Sequence, residues 1–226
     1  MIRKLLIIFP ILLLFTGCTL NNEKYSQVEG IVKYDILYQR IELTSIPENL
    51  LPKTMTFTFN KRYSKNTIEG FMGIISIINI TDLKKDTVTT VLKFLDNKYY
   101  FTSKPREIPC CFEIMDKPEI KFTNDSLLIA GVICEKAFLN FPDSMLNHSI
   151  YFTRDIKIKN LNRNTAYEDI EGILMEFMME LSTLTMQFKA KSIKFKPVSD
   201  DEFIVPKGHK RISRGKMVEI INQLLE

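Results

Sequence analysis

Tryptophan is absent from this chain, glycine occurs only eight times in 226 residues, and histidine only twice. There is no Gly-rich phosphate loop and no Gly-x-Ser-x-Gly elbow, so the commonest nucleotide-binding and serine-hydrolase constellations are excluded. His148 and His209 are the only histidines, and the vicinal Cys110 and Cys111 have poor chelate spacing, which argues against a metal centre and for a protein without a cofactor. His148 and Ser149 are adjacent, but no orienting acid is identifiable for them, and a Cys134–His148 couple would need both residues in one cleft. No catalytic residue is assigned, and the expectation is a protein that is not an enzyme. Low-complexity stretches and internal repeats are also missing. What remains, 45% hydrophobic and 26% charged residues, is the composition of an ordinary globular protein.

The longest apolar run is at the very start. Arg3 and Lys4 precede Leu5 to Phe15, a run too short to span a membrane, which takes about 20 residues. Small residues follow at Thr16 and Gly17, and the chain turns polar directly after Cys18. This is the order of an export signal. Phe15-Thr16-Gly17-Cys18 resembles a bacterial lipobox, with Phe where Leu is usual. The resemblance implies that the Cys18 thiol takes a diacylglycerol, palmitate among its acyl chains, and that the chain is cut just before Cys18. Each buried CH₂ of such an anchor contributes about 0.8 kcal/mol, so two or three chains hold a folded domain on a bilayer. The expected organisation is a signal peptide over 1–17, an acylated Cys18 with a tether to 28, and a single domain over 29–226. No later segment is apolar enough to span.

Most of that domain reads as strand. In "EGIVKYDILY", Val32, Tyr34, Ile36 and Tyr38 alternate with Lys33 and Asp35. "TMTFTFN" sets Met55, Phe57 and Phe59 against threonines, "GIISIINI" reads as a buried strand, and "KYYFTS" as a short one. "DSLLIAGVICEKAFLNF" reads as one long strand bent at Gly131, and "SIYFTRDIKI" follows it. "GILMEFMMEL" and "LTMQFKAKSIKF" read as successive strands joined at Ser182-Thr183, the second bulged near Ser192, where its apolar parity changes. Two stretches have helical spacing: Val88, Val91, Leu92 and Leu95, and then Met217, Ile220, Ile221, Leu224 and Leu225 with Ser213 as N-cap. The expected class is mainly β with a few helices, one curved antiparallel sheet in a single domain.

An exported domain meets an oxidising compartment, where disulfides persist. Two states stand open for Cys134: a bridge to Cys110 or Cys111, or a buried free thiol.

Gly30-Ile31-Val32-Lys33-Tyr34, Ile129 to Ala137, Ile150 to Ile156 and Asp201 to Ile212 together resemble a group of mostly uncharacterised bacterial lipoproteins. That group is similar to the LolA/LolB lipoprotein-carrier superfamily. The resemblance implies a half-barrel whose curved sheet wraps helices on its concave side, and in the better-known members that concavity holds acyl chains. The chain departs from the pattern at Val132 and His209, where Tyr is common. The carriers' key arginine is carried over to no residue of this chain.

Met55, Phe57, Phe59, Met175, Phe177, Met179, Met186 and Phe188 share faces of their strands and form the candidate groove. Flexible thioethers beside phenyl rings suit an apolar ligand of varying shape; the alternative is an ordinary core. Residues 189–216 hold nine basic and three acidic side chains. Lys207, Lys210, Arg211 and Arg214 are therefore candidates for contact with anionic headgroups, the alternative being lysines that protect an edge strand. Nucleic acid is not expected in the envelope. The sequence thus supports two readings. The first is a lipid-anchored envelope protein, on the periplasmic side of the outer membrane, with an amphiphile-binding groove. The second is a non-catalytic scaffold or interaction module for an envelope protein partner.

Overall fold

The computed structural model describes residues 28–41, 47–107, 117–141, 147–156, 158–181 and 184–225. The signal segment, Cys18, Cys110 and Cys111 lie outside the described residues. Twelve strands form one open sheet: β1 (Gly30–Ile41), β2 (Thr54–Phe59), β3 (Tyr63–Glu69), β4 (Ile75–Asp82), β5 (Thr87–Phe94), β6 (Asn97–Thr102), β7 (Glu119–Ile129), β8 (Val132–Asn140), β9 (His148–Thr153), β10 (Ile173–Leu181), β11 (Leu184–Phe195) and β12 (Lys210–Arg211). One α-helix, α1 (Arg214–Leu225), ends the described chain. The strand order is β12-β6-β5-β4-β3-β2-β1-β11-β10-β9-β8-β7. Two antiparallel meanders, β1 to β6 and β7 to β11, are therefore joined where β11 returns to pair with β1. Only the short β12 runs parallel to its neighbour, β6.

Alternation is clearest at this central seam. Val32, Tyr34 and Ile36 are buried on one face, and opposite them lie Ile193, Ala190 and Phe188 of β11. Lys33 pairs with Ser192 while Tyr34 pairs with Ala190, so Lys191 is the extra residue of a bulge, beside the predicted Ser192. The sheet is curved. Val88 of β5 and Ile173 of β10 line the same cavity, although the six strand spacings between them would measure about 29 Å on a flat sheet.

Two sequence expectations are corrected. Residues 87–94 are strand β5, not a helix. Thr87 to Val91 are all β-branched, which disfavours helix. The helix-like spacing arises because both faces of β5 are covered: Val88 and Leu92 point to the concave side, while Val91 packs in a second cluster with Ile80, Val198 and Phe203. Residues 125–141 are not one bent strand either. Ala130 (φ 50°) and Gly131 (φ 84°) form the two-residue turn of a hairpin between β7 and β8, flanked by the Ile129–Val132 pair.

The C-terminal segment wraps one edge of the sheet. Asn60 Nδ2 donates to Val198 O (3.3 Å) and Asp200 Oδ1 (2.8 Å), and Phe203 stacks on Tyr63. The chain then adds β12 beside β6 and turns into α1, which starts as predicted with Ser213 Oγ accepting from Lys216 N–H at 3.3 Å. Met217 and Ile221 bury their side chains in the main core. The concave side therefore carries one helix among the described residues, where several were expected, and an irregular segment over 158–172 supplies the rest of the cover.

Candidate functional site

A cavity of about 390 Å³ lies between the concave sheet face and residues 161–168. That wall is held by its own polar contacts. Asn162 is buried and its Nδ2 donates to Ile170 O (2.7 Å) and Gly172 O (3.1 Å). Asp86, in the β4–β5 turn, accepts from Arg163 (3.1 Å) and Asn164 (3.2 Å) and lies 3.7 Å from Arg106 Nε. Tyr167 projects into the core, where its hydroxyl donates to Met178 O and its ring meets Phe177 edge-on. Burial holds the Tyr167 and Tyr34 phenols well above their ordinary pKa, so both are hydrogen-bond donors rather than nucleophiles. Tyr34 Oη donates to Leu174 O at 2.7 Å.

One end of the cavity is apolar, formed by Tyr34, Met55, Phe57, Ile173, Leu174, Phe177 and Met179. Four of the eight candidate groove residues are thus brought together: Met55, Phe57, Phe177 and Met179. The other four do not line it. Phe188 lies behind Phe177, with stacked rings 5.1 Å apart, and Phe59 stacks on Phe57 at 5.5 Å. Met186 is buried in the core, as is Met175, the extra residue of a β10 bulge against β9. Shared strand parity placed all eight near the concave side, but curvature stacks some behind others.

The other end is polar, and none of the candidate groove residues lies in it. Ser64 and Asn66 on β3 pair across the strands with Thr81 and Asn79 on β4, making a two-by-two polar quartet on the cavity floor. Phe57 and Phe59 flank it on β2, and Val88 and Thr90 on β5. Asn79 is 9% exposed and its Oδ1 accepts from Thr90 Oγ1 at 2.8 Å, which leaves its Nδ2 donor facing elsewhere. Ser64 is 4% exposed, and neither its hydroxyl nor the Asn66 and Thr81 side chains bond to a described residue. The one sequence signal was Asn79, a polar interruption in "GIISIINI".

The remaining candidates fall elsewhere. Lys210 and Arg211 form the exposed edge strand β12, and Lys207 is exposed just before it. Arg214 is bound to Glu107 at 2.9 Å; the Lys104 backbone N–H first, and then Arg214, hold the Glu107 carboxyl below its ordinary pKa. Cys134 is a buried free thiol, pushed up to about 11 chiefly by burial. Its candidate bridge partners lie outside the described residues. His148 sits opposite Leu139, five residues along β8 from Cys134 and hence about 17 Å away, too far for a nucleophile–base pair. Among the described residues no three His, Cys, Asp or Glu side chains gather as metal ligands, and no helix is long and apolar enough to cross a membrane. The β7–β8 hairpin exposes a cross-strand pair, Leu128 and Ile133, each 68% accessible, at the open edge of the sheet. Compared with protein-family models and with curated proteins, the chain matches none.

Proposed function

We propose that this chain is a lipid-anchored envelope protein that holds an acyl chain, from a lipid or a lipidated protein, in the cavity on its concave face. The observation that carries the reading is the cavity of about 390 Å³ with Met55, Phe57, Phe177 and Met179 at its apolar end. That volume falls within the roughly 300–1,000 Å³ of small-ligand sites. Burying each methylene there contributes about 0.8 kcal/mol before ordering costs. The same proposal includes a half-barrel of the LolA/LolB type, a role without catalysis, and attachment through Cys18 on the periplasmic side of the outer membrane. An open, curved antiparallel sheet covered on its concave side supports the half-barrel; the lipobox-like Phe15-Thr16-Gly17-Cys18 supports the anchor.

Titration with a dansyl-labelled fatty acid tests the cavity. Ala166 lines it from the covering wall and is only half-buried, so Ala166→Trp fills the space without opening the core. Saturable binding by the parent, lost in Ala166→Trp at unchanged melting temperature, is the expected result. No saturable binding to the parent refutes the reading. One observation favours the second reading, an interaction module: among the described residues no strand pairs with the outer edge of β7, beside the exposed Leu128 and Ile133.

A further inference from the structure

A polar quartet in the floor of an apolar cavity costs stability unless something bonds it. Leaving a buried donor unsatisfied costs about 1–3 kcal/mol, and apolar side chains at Ser64 and Asn79 would pack at no such cost. Among the described residues neither side chain makes a hydrogen bond other than the Thr90–Asn79 bond. That bond decides the chemistry. It holds Asn79 Oδ1 toward Thr90 on β5, so the wholly unpartnered group of this amide is its Nδ2 donor. Ser64 Oγ can donate beside it, as can the unbonded amide of Asn66 directly across the strand pair. At the rim nearest this end, Arg163 and Arg106 share the single carboxylate of Asp86, so positive charge exceeds negative there. The acidic groups of the cavity stand apart. Glu168, with Asp169, is matched by Lys117, whose pKa those two carboxylates raise, Asp169 first; Glu180 is on β10, at the apolar end.

We propose that the quartet is a head-group subsite for an acyl oxygen: a carboxylate or ester carbonyl that accepts hydrogen bonds from Asn79 Nδ2, Ser64 Oγ and the Asn66 amide, with its chain running toward Phe177 and Met179. The inference rests on the amphiphile reading above and adds the ligand's orientation and the chemistry of its polar end. A free fatty acid and an esterified acyl chain share this oxygen. A long-chain amine offers no acceptor to Asn79 Nδ2 and meets the surplus positive charge of Arg163 and Arg106, so it is disfavoured even though the Ser64 and Thr81 hydroxyls can accept from it.

The experiment is competition against the dansyl fatty acid bound to the purified full chain, using decanoic acid, methyl decanoate and decylammonium. The acid or the ester should compete at least tenfold better than the amine, a difference of about 1.4 kcal/mol. An acid stronger than the ester identifies the free carboxylate as the ligand; an ester as strong or stronger identifies an esterified chain. Asn79→Asp keeps the shape and the acceptor for Thr90 but replaces the Nδ2 donor by an oxygen. It should weaken the acid at least tenfold and narrow or invert the preference over the amine. Ser64→Ala removes a hydroxyl with no partner among the described residues, so it keeps the test available if Asn79→Asp does not fold; it should weaken acid and ester severalfold, and by more than it weakens the amine. Equal competition by all three ligands, or unchanged acid binding in the folded variants, overturns the subsite while the cavity reading stands. No binding by any probe overturns both.

Discussion

Replacing Gly172 by alanine should unfold the wall of the cavity before anything else fails. Gly172 joins the 158–172 segment to β10 with φ +94°, and a Cβ there would sit 2.0 Å from Thr153 O and 2.9 Å from Thr153 C. Both are backbone atoms of β9, so relief requires the strand or the loop to move by about 1 Å or more. The left-handed backbone costs an L-residue about 1–2 kcal/mol, and the displacement adds at least as much, for a total of about 3 kcal/mol or more. The entropy that alanine removes from the unfolded chain offsets at most about 1 kcal/mol. Gly131 is the internal control: its φ is +84°, but nothing lies within 4 Å of its Cβ position, so Gly131→Ala carries the backbone cost alone. Urea unfolding followed by circular dichroism compares the two. At a slope of about 2–3 kcal/mol per molar, the Gly172→Ala midpoint should fall by about 1 M or more, and that of Gly131→Ala by about half as much or less. Because Asn162 bonds Gly172 O, the same variant should also weaken fatty-acid binding. A Gly172→Ala protein no less stable than Gly131→Ala would refute the close approach of this wall to β9.

Ser213→Ala removes the α1 cap and should cost about 1 kcal/mol in the same urea assay. Cys134 should resist iodoacetamide at neutral pH until the protein is unfolded, as peptide mapping by mass spectrometry would show; rapid native labelling would contradict a thiol held near 11. Because the folded thiol is raised from 9.0 to about 11, its stabilising contribution is complete below pH 9 and is lost as pH rises through about 11. Cys134→Ala should therefore flatten stability over that window, leaving the raised Tyr34 and Tyr167 to act above pH 10. Cys18→Ala should move the protein from the membrane pellet to the soluble fraction or leave an uncleaved precursor; a variant that matures and pellets as the parent does would place the anchor elsewhere.

What is local was legible in the order of residues. Period-two alternation located β1, β2, β10 and β11, because one face of each is largely buried and the other is wet or half-wet except at Thr58, Leu174 and Thr185. The parity change at Ser192 located the β11 bulge to within one residue, and Ser213 with the Met217–Ile221 spacing located α1. Alternation failed where tertiary packing covers both faces of a strand. β5 has Leu92 in the main core and Val91 in the second cluster, so its apolar residues mimic a helical period. Nothing local says that residues 196–206 will return across the sheet to cover Val91. The hairpin at Ala130-Gly131 was hidden for a related reason: β-rich residues on both sides of a two-residue turn read as one strand.

The site divided in the same way. Parity could group Met55, Phe57 and Phe177 on a concave face, since that is a property of each strand alone. Only the curvature and the covering wall decided which of them meet the cavity, because six strand spacings must close upon one another before Val88 and Ile173 share a space. The quartet is the plainest case. Ser64 and Asn66 are unremarkable in "YSKNTIEG", and Thr81 and Asn79 lie in another strand. Register brings the four together, and Thr90, one strand further, donates to Asn79 Oδ1.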